Sequence, residues 1–370
     1  SRVQETYVRL VAEAHHLGPG AKLPKVTQLC ADLGASTTTL NLALTRLEQD
    51  GLIERRHGVG IFVSPNLTKT IALICEPSFL ESTGHSPLWA LVIKSLRQRA
   101  QAKNETLQLH FARRMTPRTP PVPDGLARDL KQKRIQGIFA LGLHHEVLSW
   151  LDSYEVPIVS FASWSRTEIH HVGYEHYSGF IEQGLEILQE KNCRNIEFWM
   201  PVITWMWPDY PDCLEARKGS VSYFSQLWES AVADKKFSRH LLRTQPGLLD
   251  CGVDMTNQRQ GAPLAQTVFS APRSSWPDGI LFYDDMMAHS ALQAMRRMGV
   301  ELGKDVTVVS QANAGSPVLD DDRNEITLLE FEPREVVEAM FDHLERLMGG
   351  EQVAQQFYIR ARRRDPENRF

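Results

Sequence analysis

The sequence predicts an α/β protein with a small helical domain at its N-terminal end and a larger domain built on parallel β-sheets. Short amphipathic helices and a hairpin occupy residues 1–63. From residue 70 onward, strand-like apolar runs alternate with amphipathic stretches, a pattern typical of parallel sheets with helices on both faces. Because the remaining stretch of roughly 300 residues exceeds what one sheet comfortably organises, we expect two α/β lobes.

The N-terminal helices are predicted from apolar periodicity and from the residues that begin and end helices. A first helix keeps its apolar residues on one face and ends at the Gly-Pro-Gly run at residues 18–20. Thr27 is expected to cap a second helix, and Gly34 supplies the turn after it. Ser36 is expected to cap a third helix, which stops at the Asp-Gly pair at residues 50–51.

The third helix is followed by two strand-like runs, residues 52–56 and 61–63, on either side of a turn-rich segment. This arrangement suits a two-stranded hairpin. Three short helices and a hairpin make a winged helix-turn-helix domain over residues 1–63. The polar, proline-containing segment 64–69 is expected to be a linker to the larger domain, residues 70–370.

Composition argues against several classes of protein: disulfide-rich, zinc-binding, membrane-spanning and secreted. Five scattered cysteines with no CxxC or paired Cys/His spacing favour neither a disulfide framework nor a zinc site. No run approaches the roughly 18 apolar residues of a membrane span, and no signal-peptide pattern is visible. We therefore expect a cytoplasmic protein with no membrane partner, metal or cofactor. The net charge of −4 neither indicates nor excludes nucleic acid, since a larger acidic domain can mask a small basic one.

Motifs of the common α/β enzymes do not occur: GxGxxG, GxxxxGK[ST] and GxSxG are all missing. The histidines at 144–145 and 170–171 lack a carboxylate at metal-site spacing, and neighbours on a strand point to opposite faces. The Asp-Asp pair at 284–285 fits a ligand clamp, and the acids at 320–322 fit a solvated loop. No catalytic residue is expected. A metabolic α/β enzyme, or a small-molecule-binding protein that carries a winged helix, is the alternative.

The N-terminal block resembles the GntR family of winged-helix regulators over nearly all of residues 1–63. The resemblance rests on an ordered set of glycine, apolar and small polar positions. These positions are Gly20, Lys22, Leu23, Pro24, Leu29, Leu33, Gly34, Ser36, Thr39, Leu40, Ala43, Leu44, Leu47, Gly51, Leu52, Ile53, His57, Gly58, Gly60, Phe62 and Val63. In that family the start of the third helix enters the major groove, and the wing reaches the minor groove or the backbone.

The resemblance implies DNA-binding positions in the second helix, the third helix and the wing. They are Lys25, Thr27, Ser36, Thr37, Thr38, Asn41, Arg46, Arg56, His57 and Gly58. The family commonly has arginine where this chain has Thr27, Thr37 and Asn41, and asparagine favours adenine whereas arginine favours guanine. The operator therefore need not resemble the family's usual sequence. The basic residues, with Lys22 and Arg55, are expected to meet phosphates, so affinity should fall with salt.

The larger domain resembles the LacI-type effector domain, which shares its fold with periplasmic sugar-binding proteins. Looser motifs lie at residues 135–138, 156–159 and 172–174, and the most specific stretch runs from Asp278 to Val309. The combination of the two domains looks like the branch of GntR regulators that includes the arabinose repressor.

This resemblance implies a periplasmic-binding-protein-like pair of lobes joined by three crossovers. We expect the first lobe at about residues 70–171 and 329–348, and the second at about 172–328 and 351–364. An effector is then expected in the cleft between the lobes, at the carboxyl ends of the strands.

The resemblance also implies which residues contact the effector. They are Ser163, Trp164, Trp205, Arg217, Asp284, Gln311 and Asn313. Two positions that are often aspartate in the family are Ala162 and Ala312 here, which removes acceptors for vicinal hydroxyl groups. A sugar-like effector is expected, but a typical free sugar cannot be assumed.

Together the two resemblances predict a transcription regulator, most simply a repressor, whose affinity for operator DNA is controlled by a small molecule. A homodimer is expected because two winged helices can read two half-sites.

Overall fold

The computed structural model describes residues 2–80, 86–116, 119–163, 169–202, 213–245, 248 and 255–366. Within these residues the chain forms a winged helix and two parallel sheets flanked by helices, which confirms the predicted α/β fold class. No helix in the described part has the length and apolarity that crossing a bilayer would require.

The N-terminal domain packs three helices against a hairpin. The elements are α1 (Arg2–Leu17), α2 (Val26–Leu33), α3 (Thr37–Gln49), β1 (Ile53–Arg56) and β2 (Gly60–Val63). Strands β1 and β2 pair antiparallel, with Ile53 opposite Val63. The fully buried Tyr7, Leu40 and Leu44 form the centre of a closed apolar core between α1 and α3, so this domain buries its apolar helix faces within itself.

Helix boundaries confirm one predicted cap and correct another. Ser36 caps α3 through its side chain, which accepts a hydrogen bond from the Thr39 amide at 3.2 Å. Thr27 does not cap α2, because the extended residue Lys25 is the N-cap and the helix already includes Val26. Pro24 fixes the chain just before this start, and Thr27 lies in the first turn.

The segment 64–69 is packed against the winged helix. The Ser64 amide donates to the Leu52 carbonyl at 2.9 Å, and Leu67 packs on the apolar core of the N-terminal domain. At its other end, the Lys69 carbonyl accepts the Thr106 amide of the first sheet at 2.8 Å. The linker therefore makes ordered contacts with both domains.

The first sheet has the strand order β13-β7-β6-β5-β3-β4, and each pairing is parallel. Its strands are β3 (Thr70–Cys75), β4 (Thr106–Phe111), β5 (Gly137–Leu141), β6 (Ile158–Phe161), β7 (His170–Tyr174) and β13 (Gln356–Ile359). The accompanying helices are α4 (Leu88–Ala102), α5 (Asp124–Lys131), α6 (His145–Asp152) and α11 (Pro333–Met348). The inner strands are buried on both faces, as expected where helices cover a parallel sheet.

The second sheet has the order β14-β12-β11-β10-β8-β9, parallel except for β14. Its strands are β8 (Asn195–Trp199), β9 (Arg239–Arg243), β10 (Gly279–Phe282), β11 (Thr307–Asn313), β12 (Thr327–Phe331) and β14 (Arg362–Arg364). The helices of this lobe are α7 (Glu182–Glu190), α8 (Cys213–Val232), α9 (Asn257–Phe269) and α10 (Asp285–Arg297). Helices α9 and α10 approach closely at Gly261, where a Cβ atom would lie 2.1 Å from the Met287 carbonyl oxygen.

The described chain passes between the two sheets three times: from β7 to α7, from β12 to α11, and from β13 to β14. The predicted lobe limits are wrong at three places. Strand β7 belongs wholly to the first sheet, so the first crossing follows Tyr174, and β12 belongs to the second sheet, so only α11 returns to the first lobe. The segment 351–364 is divided, because β13 pairs with the open edge of β7 and only β14 joins the second sheet.

Candidate functional site

The outward face of α3 is the first candidate surface. Helical periodicity turns Leu40, Ala43, Leu44 and Leu47 into the core, and the opposite face is exposed. That exposed face consists of Thr38, Asn41, Leu42 and Thr45. Thr37 is exposed at the start of the helix, near Cys30 of α2, whose thiol donates to its hydroxyl at 3.9 Å. The helix thus offers hydroxyl, amide and apolar groups to a partner.

The wing and the start of α2 place exposed basic groups beside this helix. Arg56 stacks over the Phe62 ring, with its guanidinium carbon 4.5 Å from the centroid, and Lys22 approaches the same ring. His57 and Gly58 are exposed at the tip, where Gly58 adopts φ +69°, a conformation that favours glycine. Lys25 and Thr27 are also exposed.

Two arginines near α3 are engaged inside the domain. Arg46 donates to the Gln4 side-chain oxygen at 2.6 Å and stacks over the Tyr7 ring. Arg55 contacts the Asn41 carbonyl and the Thr45 hydroxyl, and it pairs with Glu48. These contacts hold both side chains on the domain, whereas Arg56, which pairs with Glu54 at 3.2 Å, keeps half of its side chain exposed at the wing.

The strand ends of the second sheet form the second candidate site. Asp284 is the N-cap of α10: one carboxylate oxygen accepts the Met287 amide at 2.8 Å, and the other accepts the Asn257 side-chain amide at 2.8 Å. Burial raises the pKa of Asp284, and these hydrogen bonds oppose the shift. The residue predicted to bind ligand hydroxyls therefore also holds the start of a helix.

A buried polar network adjoins Asp284, centred on the next residue. The Asp285 carboxylate accepts hydrogen bonds from Asn313 at 3.3 Å and from Ser316 at 3.5 Å. Burial, followed by the charge of Asp284, raises the pKa of Asp285 to about 7. The Tyr174 hydroxyl from the first lobe donates to the Asn313 side-chain oxygen at 3.0 Å, so the network joins the two lobes. Sequence reasoning missed Asp285, although the Asp-Asp pair marked the place.

A small cavity of about 10 Å³, room for roughly one water molecule, lies within this network. Its lining consists of Asp285, Ala312, Asn313, Ser316, Leu319, Arg323, Leu328 and Glu330. Gln311 is buried close by and donates to Asn313 at 3.3 Å. Of the predicted effector residues, Asn313 and Gln311 are thus brought together, and Asp284 lies next to the network on α10.

The other predicted effector residues are spread over both lobes. Ser163 follows β6, and its hydroxyl accepts the Leu143 amide at 3.0 Å. Arg217 is buried on α8 of the second lobe. Trp164 and Trp205 lie outside the described residues.

Aromatic contacts connect the lobes beside the polar network. The rings of Tyr174 and Phe331 stack with their centroids 3.9 Å apart. Tyr174 ends β7 and Phe331 ends β12, so each residue lies just before a crossing between the lobes. The Tyr283 hydroxyl and the ring of His176 are 3.0 Å apart, and burial lowers the pKa of His176 to about 4. The histidine is therefore neutral at physiological pH.

The fold and these two surfaces define a class of protein, in which a winged helix is joined to a two-lobed α/β domain. Residues 5–63 match the family of bacterial regulatory proteins, gntR family. Residues 219–363 match the periplasmic binding protein-like domain. The chain therefore joins a GntR-family helix-turn-helix domain to a periplasmic-binding-protein-like domain, as the sequence resemblances implied.

Curated relatives match the N-terminal part. The uncharacterized HTH-type transcriptional regulator YurK of Bacillus subtilis (strain 168) is 39% identical over 71 residues, which cover 19% of this chain and 29% of YurK. The uncharacterized HTH-type transcriptional regulator Rv0494 of Mycobacterium tuberculosis is 43% identical over 65 residues, or 17% of this chain and 27% of Rv0494. The match thus spans less than a third of either relative.

Solved structures share the fold over most of the chain. A periplasmic binding protein/LacI transcriptional regulator from Alkaliphilus metalliredigens QYMF, complexed with D-xylulofuranose, has a TM-score of 0.55 and 16% identity, covering 80% of this chain and 98% of its own. The transcription regulator CcpA of Lactococcus lactis has a TM-score of 0.55 and 18% identity, with 81% and 98% coverage. The Lac repressor bound to ONPG has a TM-score of 0.59 and 13% identity, with 90% coverage of each chain.

Proposed function

We propose that the protein is a sequence-specific DNA-binding transcription regulator whose affinity for an operator is controlled by a small molecule bound between its lobes. The observation that carries this proposal is the exposed, polar outward face of α3 in a closed GntR-family domain. Hydroxyl and amide groups on a helix of this kind suit base edges, and the basic side chains of the wing suit phosphates.

The DNA-binding residues are divided by role in this proposal. Thr37, Thr38 and Asn41 face the bases, with Thr27 beside them. Lys25, Arg56, His57 and Gly58 contact the backbone from either side. Ser36 acts through the helix cap, and Arg46 acts mainly by fixing α3 to α1.

The effector is proposed to be a sugar or sugar derivative that contacts Asp284, Asn313, Gln311, Arg217 and Ser163, with Trp164 and Trp205 as further contacts. The polar groups at the strand ends support a ligand rich in hydroxyl groups. The similar structure from Alkaliphilus metalliredigens holds D-xylulofuranose, a ligand of the same class. Ala162 and Ala312, in place of carboxylates, favour a derivative over a typical free sugar.

Coupling between the two sites is proposed to run through contacts between the domains. Asp50, which caps the end of α3, accepts a hydrogen bond from the Tyr7 hydroxyl at 2.6 Å and lies 3.9 Å from Arg134 of the first lobe. The packed linker provides a second connection. Movement of the first lobe on effector binding therefore changes the position of α3.

The protein is proposed to act as a cytoplasmic homodimeric repressor. Its effector either releases it from the operator or is required for operator binding. Two winged helices recruit twice the contacts of one and read two half-sites. The larger effector lobes are expected to supply the interface. Light scattering at micromolar concentration should give a dimer with residues 1–69 present or deleted, and a monomer in both cases would contradict this assembly.

The experiment that tests the function has two parts. The full chain is incubated with a random double-stranded DNA library, and bound sequences are enriched and read. In parallel, a thermal-shift screen of sugars, sugar phosphates and nucleosides searches for an effector. We expect one enriched operator-like sequence and at least one stabilising compound that changes its binding. Failure to enrich any sequence would reject the DNA-binding function.

An α/β enzyme that carries a winged helix is the alternative. The two kinds of protein differ in what happens to the ligand, since a sensor releases its ligand unchanged. Any compound found in the thermal-shift screen should therefore be recovered intact after long incubation with the protein. Conversion to a product would favour the enzyme.

A further inference from the structure

The outward face of α3 contains one large apolar side chain, Leu42, to which the proposed function assigns no role. Leu42 is 56% exposed, and Val59 of the wing is exposed to the same extent. Among the described residues, these are the two most exposed large hydrophobic side chains, and both lie on the elements that face DNA. The N-terminal core does not need Leu42, because that core is already closed by Leu40, Leu44 and other inward residues.

The position of Leu42 on the helix decides what it can touch. At 100° per residue, Leu42 lies opposite the buried stripe and beside Thr38 and Thr45 on the centre of the outward face. Arg55 covers Thr45 and the backbone carbonyl of Asn41 by its hydrogen bonds, and it leaves the side chains of Asn41 and Leu42 exposed. Leu42 is therefore free of that cover and projects toward whatever α3 enters.

We propose that Leu42 is a specificity-determining residue that contacts the C5-methyl group of a thymine in the operator. This rests on the proposed DNA-binding function. In the major groove only thymine presents a methyl group, and apolar side chains read it by contact. Burying the leucine against that methyl removes apolar surface from water, whereas the polar edge of guanine or cytosine would leave the leucine poorly matched.

The neighbouring residue strengthens the choice of base. Asn41 is exposed next to Leu42, and asparagine pairs bidentately with adenine. Since every adenine faces a thymine, adjacent asparagine and leucine side chains together favour an A·T-containing half-site. Replacement of the family's arginines by threonine and asparagine points away from guanine in the same direction.

The test compares the full-length protein with Leu42→Ala, and with Leu241→Ala as the matched control, because Leu241 is an exposed leucine on β9 of the second lobe, outside the winged helix. Leucine and alanine are both good helix formers, and Leu42 is exposed, so the variant should fold; its thermal unfolding checks this. Each protein is used in selection from the same random DNA library. We expect the wild type and Leu241→Ala to select thymine at one position of each half-site, and Leu42→Ala to lose that preference.

A second measurement removes the methyl group from the DNA instead of the leucine from the protein. Replacing the selected thymine by uracil deletes only the C5-methyl. We expect this change to weaken binding of the wild type and of Leu241→Ala by about threefold to tenfold, and to change binding of Leu42→Ala by less than twofold. Such non-additivity shows that the leucine and the methyl act on each other.

The outcomes separate the inference from the function on which it rests. If sequences are enriched but uracil costs all three proteins equally, or Leu42→Ala keeps the same thymine preference, the inference is wrong and the DNA-binding function stands. If no sequence is enriched by the wild type, both are wrong. If Leu42→Ala changes the oligomeric state by light scattering without changing base preference, the apolar position serves self-association, which also overturns the inference.

Discussion

Basic side chains of the N-terminal domain differ in how far the domain itself uses them. Arg46 and Arg55 are tied to side chains and carbonyls of α1 and α3. Lys25 is exposed at the start of α2, and Arg56, whose ion pair is with the nearby Glu54 on the same strand, is half exposed at the wing. A count of arginines and lysines along the sequence could not make this distinction, because it depends on which partners the fold brings within reach.

Lys25→Ala and Arg56→Ala should each weaken DNA binding across many sequences. Each variant removes one phosphate contact, so the slope of log affinity against log salt should become shallower by about one unit. Binding isotherms at several salt concentrations measure this slope. Lys304→Ala, which removes the same charge from the second lobe, is the control and should change nothing; an unchanged slope in Lys25→Ala and Arg56→Ala would remove both residues from the interface.

The Asp-Asp pair illustrates the limit of sequence reasoning at single-residue resolution. The pair was predicted as a ligand clamp with Asp284 as the contact residue. In the structure Asp284 caps α10, and Asp285 joins the network that reaches Tyr174 across the hinge. A helix that started one residue later would make Asp285 the cap, and sequence patterns do not locate helix starts that closely.

The raised pKa of Asp285 predicts a pH-dependent stability. The group has an ordinary pKa of 3.8, and burial raises it to about 7 in the folded protein. Between about pH 4 and pH 7 the folded state thus keeps a proton that the unfolded state has released, so the free energy of unfolding falls as pH rises through this window. Asp284 acts in the same direction, because burial raises its pKa also.

Asp285→Asn should reduce this dependence to the part that Asp284 contributes, since an amide resembles the protonated acid and can still accept the hydrogen bonds of Asn313 or Ser316. The free energy of unfolding of the variant, relative to that of the wild type, should increase by on the order of 1 to 3 kcal/mol from pH 5 to pH 8. Chemical unfolding at both pH values measures the difference. Asp321→Asn, at an exposed position, is the control; parallel behaviour of the two variants would contradict the assignment.

At the level of elements, strong periodic segments were predictable and the sheet partners of weak strands were not. Apolar runs such as β5 and β10, buried on both faces, were visible in the sequence. Strand β13, Gln356–Ile359, is largely exposed and carries little apolar pattern. Its place beside β7 is set by backbone hydrogen bonding at an open sheet edge, which leaves no periodic trace in the sequence. The prediction that the whole segment 351–364 belongs to the second lobe is wrong for this reason.

The contact between α3 and the first lobe predicts a route for coupling between the operator site and the effector site. Arg134→Ala removes the cation that faces Asp50 and the Tyr7 hydroxyl. As the contact is exposed and small, affinities for operator alone and for effector alone should change by less than about twofold. The effect of one ligand on the other should shrink by a larger factor. Titrations of operator with and without effector measure it, with Arg128→Ala on α5 as the control; coupling equal to that of the wild type would exclude this contact as a route.

At the scale of the whole molecule, three crossings and one inter-lobe network hold the lobes in register. Tyr174 takes part in both kinds of contact, because it ends β7 before the first crossing, stacks on Phe331 before the second, and bonds to Asn313. A ligand placed among these groups would change the same contacts that fix the angle between the lobes. The two-lobed form could be predicted from the alternation of strands and helices, whereas this hinge network needed the three-dimensional arrangement of residues distant in sequence.

The proposed regulation requires that the two sites exchange free energy equally in both directions. Effector binding should close the cleft and shift the first lobe, to which the linker and Arg134 attach the winged helix. If the effector changes operator affinity by a given factor, commonly about 5-fold to 150-fold in such systems, operator must change effector affinity by the same factor. Calorimetric titration of the effector into protein with and without operator measures the second factor, and operator titrations measure the first. Equal effector affinities in the two states would show that the sites are independent, even though each ligand binds.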